Sequence, residues 1–386
     1  MKADWEVKKL GEVCDFQGGA QPPKDEWIKN YKNGYVRMLQ IRDFTQSRNF
    51  DIEYVKITNK LRRCTTDDIL LGRYGASVGK VLTGLEGAYN VAILKTIPSE
   101  IIQKMYIKYY FLSPLFQIPL LNLCNQRAAQ AGFNREDISD FPIPVPPFPE
   151  QKRIVEILDQ KFAQIDQLKQ NAEKNLQNAK ELFQAELTKA FSNNTWEKKR
   201  LGDVCGITSK LVDPTQSEYL DLYHVGGANI VSETGKIIDL KTSKEEGLSS
   251  GKFTFDNSMV LYNKIRPYLK KVARPNFSGL CSADMYPLSP KSSIEKDFLY
   301  YVLTSKSFTD YAISKSDRAG MPKVNRDALF SFSFPLPPLS EQQKIVAHLD
   351  ALQEKVRQLE EIYTKQIANC DELKQSFLKK AFEGEL

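Results

Sequence analysis

Apolar side chains recur at steps of three and four residues through the middle of the chain, from Phe148 to Phe191. This spacing places them on one face of an α-helix, and after Pro149 neither glycine nor proline interrupts the pattern. At about 1.5 Å per residue the helix is about 60 Å long, which a small domain cannot cover. The pattern therefore predicts a long helix that packs along its length against a partner. Its apolar face comprises Ile154, Leu158, Phe162, Ile165, Leu168, Ala172, Leu176, Ala179, Phe183, Leu187 and Ala190.

A second stripe of the same kind lies near the C-terminus, and it repeats the first. Gln151 and Gln342 are 191 positions apart, and the same offset relates Phe191 to Phe382. The two helices are therefore copies, and we expect them to pack together as an antiparallel pair. The second apolar face comprises Ile345, Leu349, Leu352, Val356, Leu359, Tyr363, Cys370, Phe377 and Ala381.

The segments before the two helices are duplicated at the same offset. The sequence WEVKKLGEVCD from Trp5 returns as WEKKRLGDVCG from Trp196, and Arg73 aligns with Lys264. Each repeat is thus a globular head followed by a long helix, a period that has to be recognised before any fold is assigned. We divide the chain into a first head over 1–145, a central helix over 146–192, a second head over 193–336 and a C-terminal helix over 337–386.

Short β-rich runs in the heads alternate with glycine turns and precede a helical stretch, so each head is predicted to be α+β. Antiparallel packing of the helices would place the two heads at opposite ends of a two-helix coiled coil, related by an approximate two-fold axis. The alternative is that each helix lies back on its own head as an amphipathic cover. A long helix would overhang a head whose radius of gyration is about 15 Å, and this favours the antiparallel pair.

Charge is distributed unevenly between heads and helices. The chain of 386 residues carries a net charge of +6. The first helix balances its charges, and the second has two more anions than cations, so the heads carry +8. This favours an anionic partner for the heads. The first residues lack an apolar signal segment, and the six cysteines form no CxxC pair. These features predict a soluble cytoplasmic protein with reduced thiols.

Three segments resemble catalytic motifs, but each lacks a residue that the chemistry requires. Val145 stands where the tetrapeptide of amino-methyltransferases needs an acceptor for the target amine. The segment GASVGK at 75–80 is one residue short of a phosphate loop, and Val81 replaces the Ser or Thr that would hold Mg²⁺. The sequence Glu-Gln-Lys that begins at Glu150 resembles half of a nuclease site, but its copy in the second repeat reads Glu-Gln-Gln. With two histidines and no motif around either, we expect no catalytic residue and no metal site in this chain.

Polar and basic residues interleaved with aromatic ones remain as the candidate chemistry of the heads. Arg, Lys, Asn and Gln are the side chains that read base edges and contact phosphates, so these residues predict a DNA-binding surface in each head. The candidates are Gln17, Arg42, Arg73, Tyr74, Lys80, Asn90, Gln126, Arg127 and Gln130 in the first head, and Lys264, Arg266, Tyr268, Lys270, Lys271, Arg274, Arg318 and Lys323 in the second.

The doubled order of these segments resembles the specificity subunit of type I restriction–modification systems. The resemblance is carried by the W-x3-(K/R)-L-G-(E/D)-V opening, the segments GASVGK and KIRPYLKK, MPKVNR at 321–326, and the proline-rich entry with Glu-Gln into each long helix. It implies that each head is a target recognition domain that reads one half of a bipartite DNA site. It also implies that the helices set the spacer between the half-sites and dock two modification subunits.

In that family S-adenosylmethionine, ATP and Mg²⁺ belong to the modification and restriction subunits, so the resemblance implies a non-catalytic chain without a cofactor of its own. The alternative is a two-headed coiled-coil adaptor that binds proteins only, which would show no salt-sensitive affinity for DNA. The residues expected to hold the coiled coil and dock the partner subunits are Ile154, Leu158, Ile165, Leu176, Ile345, Leu349, Val356 and Leu359.

Overall fold

The computed structural model describes residues 5–46, 51–127, 132–192, 195–316 and 321–386. Contacts divide the chain into two compact units. The first unit comprises Met1–Ala172 together with Lys365–Leu386, and the second comprises Glu173–Thr364. The C-terminal segment of the chain therefore belongs to the same unit as the N-terminal head.

Short strands and helices form the first head, and the first long helix follows it. The strands are β1 (Glu6–Lys9), β2 (Cys14–Gly18), β3 (Tyr35–Leu39), β4 (Tyr54–Lys56), β5 (Arg63–Cys64), β6 (Leu70–Gly72), β7 (Val81–Leu82), β8 (Gly87–Tyr89), β9 (Ile93–Pro98) and β10 (Pro142–Val145). The helices are α1 (Leu10–Val13), α2 (Ile41–Thr45), α3 (Lys104–Leu112), α4 (Pro114–Asn125), α5 (Arg135–Ser139) and the long α6 (Phe148–Ala190).

The second head repeats this composition and is followed by the second long helix. Its strands are β11 (Lys198–Arg200), β12 (Cys205–Gly206), β13 (Leu211–Val212), β14 (Tyr223–Val225), β15 (Lys241–Thr242), β16 (Lys252–Phe255), β17 (Val260–Asn263), β18 (Val272–Ala273), β19 (Gly279–Cys281), β20 (Met285–Pro290) and β21 (Ser333–Pro335). Its helices are α7 (Leu201–Val204), α8 (Ser243–Glu246), α9 (Lys296–Thr304), α10 (Lys306–Ser314), α11 (Arg326–Ser331) and the long α12 (Leu339–Glu383).

The sheets of the two heads have matching topology. One sheet has the strand order β2-β9-β6-β7 in the first head and β12-β20-β17-β18 in the second, with all neighbours antiparallel. The other has the order β4-β3-β8-β5 in the first head and β13-β16-β19-β14-β15 in the second. Each of these contains a parallel pair, β3 with β8 and β14 with β19. The repeat seen in the sequence thus extends to strand order.

Buried aromatic rings fill the core of each head. Tyr110, Phe111 and Phe116 are fully buried where α3 meets α4, and the ring centroids of Phe111 and Phe116 lie 4.8 Å apart. Phe298 and Phe308 occupy the corresponding region of the second head, between α9 and α10. Large rings packed edge to face stabilise a core beyond the area that they bury. Each head therefore has an aromatic core of its own.

The two long helices run antiparallel in the first unit. Lys169 Nζ lies 2.7 Å from Asp371, and Lys374 Nζ lies 2.5 Å from Asp166. A position later in α6 therefore meets a position earlier in α12. Both carboxylates are more than half exposed, although the lysines are partly covered, and such pairs contribute at most about 1 kcal/mol, so the buried apolar residues hold the helices together.

The second unit has the same arrangement. Lys180 of α6 contacts Glu360 of α12 at 3.8 Å. Leu187, close to the end of α6, is buried in one cluster with Leu349 of α12 and the core of the second head. The helix residues predicted to form the seam are mostly covered, but one is not. Ile154, Leu158, Ile165, Leu349 and Val356 are buried, Leu176 and Ile345 are half-buried, and Leu359 is 37% exposed because the covered side of α12 passes through Val356 and Tyr363 instead.

The end of one long helix completes the core of the head that carries the other. In the first unit Leu378 and Phe382 of α12 lie in the same buried cluster as Ile154 and Leu158 of α6. The start of α6 does lie on its own head, as the alternative interpretation required. That head is nevertheless covered by both helices, which only an antiparallel pair allows. The predicted α+β repeat with paired long helices is therefore confirmed.

A buried glutamine at the start of each long helix joins the helix to its head. Gln151 is fully buried, and its Nε2 donates to the carbonyl oxygens of Pro146 at 2.9 Å and Ile101 at 3.0 Å. Its Oε1 accepts the backbone N–H of Gln103 at 2.7 Å. Gln342 forms the same set of bonds at the start of α12. The Glu-Gln pair in both helix entries is thus explained by the glutamine, whose three bonds satisfy buried backbone groups.

A tyrosine hydroxyl links α3 to α6, and its copy links α9 to α12. Tyr109 donates to Asp159 Oδ1, and Tyr301 donates to Asp350 Oδ1 at 2.6 Å. Burial, together with the hydrogen bond to Asp159, raises the pKa of Tyr109. Since the folded-state pKa is raised, this contribution to stability is present below about pH 10 and is lost as the pH rises through the folded-state value.

The substitution Tyr109→Phe is expected to lower the free energy of unfolding of the first unit by about 1.5 kcal/mol. This is the lower end for a hydrogen bond to a charged group, since Asp159 is exposed. The variant should also lose less stability than the original chain between about pH 9 and pH 11. Denaturant unfolding across that range measures both effects, and an unchanged alkaline slope would contradict this role.

All six cysteines are buried, and none forms a disulfide bond. Among the helices that the structure describes, none is long and apolar enough to span a lipid bilayer.

Candidate nucleic-acid interface

Each head carries a loop that connects two antiparallel strands of its first sheet. Residues 73–80, called tip loop 1, connect β6 to β7, and residues 264–271, called tip loop 2, connect β17 to β18. A 3₁₀ turn lies at the centre of each loop. The backbone N–H of Gly72 donates to Lys80 O at 2.9 Å, and that of Asn263 donates to Lys271 O at 3.0 Å. The two loops therefore have equivalent ends, and they contain eight of the predicted DNA-binding residues.

A second segment braces each tip loop. In the first head the N–H of Phe133 donates to Arg73 O at 3.3 Å, and Arg73 Nε donates back to Phe133 O at 3.0 Å. In the second head the N–H of Val324 donates to Lys264 O at 3.0 Å. Residues 132–134 and 321–325 are called the braces. The helices α5 and α11 follow directly after the two braces. The braces, and through them the tip loops, are therefore held on rigid elements.

Left-handed backbone occurs at two equivalent positions in each tip loop. Gly75 (φ +54°) and Gly79 (φ +75°) adopt it in tip loop 1, whereas Arg266 (φ +51°) and Lys270 (φ +46°) adopt it in tip loop 2. For a residue with a Cβ this conformation costs roughly 1–2 kcal/mol, which glycine avoids. A Cβ added at Gly75 would meet no atom within 4 Å, but one at Gly79 would come within 2.6 Å of Gln117 Oε1. A side chain at the first position therefore projects into open space.

Lys264 holds tip loop 2 from the inside. It is 9% exposed, and its Nζ donates to Ala283 O at 2.6 Å and lies 3.4 Å from the Asp284 carboxylate. Burial lowers the pKa of Lys264, Asp284 opposes the shift, and the charges of Lys323 and Arg326 add to it. The base of the loop is thus a cluster of three cations with one carboxylate, an arrangement that attracts anions.

Three predicted residues of the first head meet beside tip loop 1, where they bond to the protein itself. Arg73 Nη1 lies 3.4 Å from Val91 O, next to Asn90. Asn90 is buried, and its Oδ1 accepts the backbone N–H two residues further on. Gln17 accepts the hydroxyl of Tyr89 with its side-chain oxygen at 3.1 Å. These three residues shape the loop and its surroundings.

Two predicted arginines of the first head are held by carboxylates. The guanidinium of Arg127 donates to both oxygens of Asp137, at 2.8 and 2.5 Å, and to Gly132 O at 2.9 Å. These bonds tie the end of α4 to the brace, and they hold the pKa of Asp137 below its ordinary value. Arg42, which lies on α2, donates to Glu53 Oε2 at 2.8 Å in a separate network.

Five of the predicted residues are exposed and available to a ligand. They are Tyr74, Lys80 and Gln126 in the first head, and Arg266 and Tyr268 in the second. Neither Lys80 nor Arg266 forms an ion pair or a side-chain hydrogen bond with any residue that the structure describes. A DNA duplex could therefore contact these side chains without displacing an internal bond.

Several other cations of the second head are engaged within the protein. Lys270 Nζ lies 3.4 Å from Gln184 Oε1 of α6, and Lys271 Nζ donates to Gly227 O. Arg274 is bonded to a carboxylate of α12. These residues add positive charge near tip loop 2 but are less free to move to a ligand.

One cation of this region was not among the candidates. Arg326 follows the brace of tip loop 2, and its guanidinium lies 5.9 Å from the ring centroids of Phe253 and Tyr286. Arg326 ends the segment MPKVNR at 321–326, which was interpreted as a mark of the family resemblance and not as a contact to DNA. The predicted residues Gln130 and Arg318 lie outside the described residues.

Comparison with known proteins defines the class to which this architecture belongs. The model of the type I restriction modification DNA specificity domain matches residues 2–178 and again residues 193–368. The chain therefore belongs to the family of type I restriction–modification DNA specificity proteins, and the resemblance inferred from the sequence is confirmed.

Individual relatives agree with this assignment. The chain is 32% identical over 358 residues to the type I restriction enzyme EcoDI specificity subunit of Escherichia coli, over 83% of this chain and 78% of the relative. It is 24% identical over 381 residues to the MjaVIII specificity subunit of Methanocaldococcus jannaschii, over 90% of this chain and 86% of the relative. None of these matches supports the adaptor alternative.

Solved structures share the fold. A chain from a study of complex assembly and conformational transition of the type I R-M system matches with a TM-score of 0.79 at 20% identity, covering 100% of this chain and 99% of that one. The HsdS subunit from Thermoanaerobacter tengcongensis matches with a TM-score of 0.57 at 20% identity, covering 100% of this chain and 98% of that one.

Proposed function

We propose that this chain is the DNA-reading subunit of a type I restriction–modification complex and that each head recognises one half of a bipartite target. The observation that carries this proposal is the same braced tip loop in both heads with unlike side chains at its tip. Near its apex, tip loop 1 exposes Tyr74, whereas tip loop 2 exposes Arg266 and Tyr268. A common scaffold with different exposed residues suits two different half-sites.

Recognition would combine a general and a specific contribution. Contacts from the +8 heads to phosphates would supply affinity that falls with salt, with a slope of about −0.9 per neutralised phosphate. A few contacts to base edges in each half-site, worth about 1–3 kcal/mol each, would supply specificity. The phosphates fix the register, and the base edges choose the sequence.

The long helices would have two further roles in this proposal. They would set the spacer between the half-sites, and they would dock two modification subunits, with restriction subunits added in complexes that cleave. S-adenosylmethionine, ATP and Mg²⁺ would bind to those subunits, and this chain would contribute no catalytic group. With DNA as its partner, the chain would work in the cytoplasm.

The proposal is tested by mapping methylated bases in DNA from cells that express this chain with its modification subunits. We expect methylated adenines within one split motif whose two halves differ in sequence. A continuous motif, or no methylation that depends on this chain, would contradict the proposal.

The contribution of phosphate contacts is tested with the variant Lys80→Ala in the purified complex. Because Lys80 is exposed and forms no ion pair with a described residue, its loss should weaken binding to all sequences alike and reduce the salt slope by about 1. Lys379→Ala on α12, whose side chain is 66% exposed, is the matched control and should leave both quantities unchanged. Equal slopes for all three proteins would show that Lys80 contacts no phosphate.

A further inference from the structure

We propose that Arg266 is a specificity-determining residue that reads a guanine in the major groove of the half-site bound by the second head. This inference rests on the proposed function and names one residue that performs it. The guanidinium would donate two hydrogen bonds to the O6 and N7 atoms of the base, a common direct contact between proteins and DNA.

The backbone of tip loop 2 supplies the first argument. Arg266 adopts a left-handed conformation at a position where the first head has Gly75. Both heads build the same turn, and glycine satisfies it without strain. An arginine at this position opposes local stability, and strained positions of this kind cluster at functional sites. The strain therefore points to a use for the side chain that outweighs its cost to folding.

The surroundings of Arg266 supply the second argument. Arg266 is exposed, and a Cβ at the equivalent Gly75 of the first head meets no atom within 4 Å. The guanidinium of Arg266 has no hydrogen-bond or ion-pair partner among the described residues. An arginine that merely supported the fold would be bonded within it, as Arg73 is to Phe133 at 3.0 Å.

The loop also holds Arg266 rigidly from both sides. Its N–H donates to Pro322 O of the brace at 2.8 Å, and its carbonyl accepts the N–H of Leu269 at 2.9 Å. Pro267, the next residue, is buried and restricts the turn further. A side chain on a fixed backbone loses less freedom on binding, which is what a precise contact to one base requires.

The difference between the two heads separates base reading from phosphate binding. A phosphate contact serves any sequence, so both heads would benefit from it equally. Both loops end in a lysine, Lys80 and Lys271, so a cation at that position is common to the two heads, although Lys271 donates to Gly227 O. Arg266 has no cationic counterpart in the first head, and a contact made by only one head is what a distinct half-site needs.

The test compares Arg266→Gly and Arg266→Lys with the original chain in the assembled complex. Binding is measured on the mapped target and on duplexes in which each base pair of the second half-site is changed in turn. We expect Arg266→Gly to lose about 5- to 150-fold of discrimination at one G·C pair. Lysine keeps the charge but lacks the planar fork of parallel donors, so Arg266→Lys should restore that discrimination only in part. The salt slope should stay unchanged in both variants.

The thermal midpoint of each variant completes the test. Arg266→Gly should unfold at the same temperature as the original chain or higher, because the substitution relieves the left-handed strain. A lower midpoint would assign Arg266 a structural role and overturn the inference. A uniform loss of affinity with a slope reduced by about 1, restored by lysine, would make it a phosphate contact and also overturn it.

The two proposals fail in different ways. If the original complex prefers no split motif, the proposed function is wrong. If the original complex has such a motif and Arg266→Gly retains the same preference at every position, only the assignment of Arg266 is wrong.

Discussion

Replacing Gln342 by leucine is expected to destabilise the second unit by at least about 3 kcal/mol. Gln342 is fully buried at the start of α12, where its Nε2 donates to Pro337 O at 2.9 Å and Ser293 O at 3.0 Å. Its Oε1 accepts the N–H of Glu295 at 2.9 Å. Leucine has a similar volume but leaves three backbone groups without a partner, each at a cost of about 1–3 kcal/mol.

Hydrogen exchange read by mass spectrometry on the full chain measures this effect and locates it. Protection should fall in the second head, at the N-terminal end of α9 and the start of α12. The control is Gln343→Ala, one residue further along the helix, where the side chain is exposed and bonded to Glu295 at 2.6 Å. A change at such a surface position should stay within about 0.5 kcal/mol. If the two variants lose equal stability, the buried glutamine does not join head to helix as we infer.

The copy of this residue provides an internal comparison. Gln151→Leu should have an effect of similar size, because Gln151 forms the equivalent three bonds, but the loss of protection should appear in the first unit. Since the chain has two compact units, a single unfolding free energy does not describe it, and the exchange data must be read unit by unit.

Replacing Phe382 by alanine is expected to destabilise the first unit by about 3–5 kcal/mol, although the residue lies near the end of the chain. Phe382 is 2% exposed, and its ring centroid lies 5.0 Å from that of Tyr106 and 5.8 Å from that of Tyr110. Alanine would leave a cavity between the end of α12 and the core of the first head. The cost combines the lost burial with that cavity.

The location of the damage is the sharper part of this prediction. Exchange protection should fall in residues 5–127 and 132–172 and persist in residues 195–316 and 321–364. Leu373→Ala is the matched control, because Leu373 lies on the same helix but is 44% exposed, and it should change little. Loss of protection confined to the second unit would show that the end of α12 does not complete the first head.

The duplicated sequence was a reliable guide to the fold but a weaker guide to the interface. The offset of 191 positions aligned Arg73 with Lys264, and the structure places both at the base of a tip loop. Both side chains donate to backbone carbonyls of the protein, and nothing in the sequence indicated these internal bonds. Exposed cations and internally bonded cations have the same composition and the same spacing along a chain.

The sequence shows that Gly75 of the first head is replaced by Arg266 in the second, but it does not indicate a role for the difference. Aligned by the repeat, the pair is one substitution among many. It becomes informative only when both residues are found in left-handed backbone and the space around Gly75 is found to be open. Backbone conformation at a turn depends on the brace, which lies about sixty positions away in each head.

Counting along the chain was enough to predict two heads, two long helices and the repeat, because apolar periodicity and an offset can be read from order alone. The folded structure was needed to show that Phe382 completes the first head and that Gln342 is buried. It was also needed to separate Lys80 and Arg266, which are open to a ligand, from Arg73 and Lys264, which are bonded within the protein. Those properties depend on which segments, distant in sequence, come into contact in the fold. The hydrogen-bond partner of a polar side chain is set by these contacts and not by its neighbours in sequence.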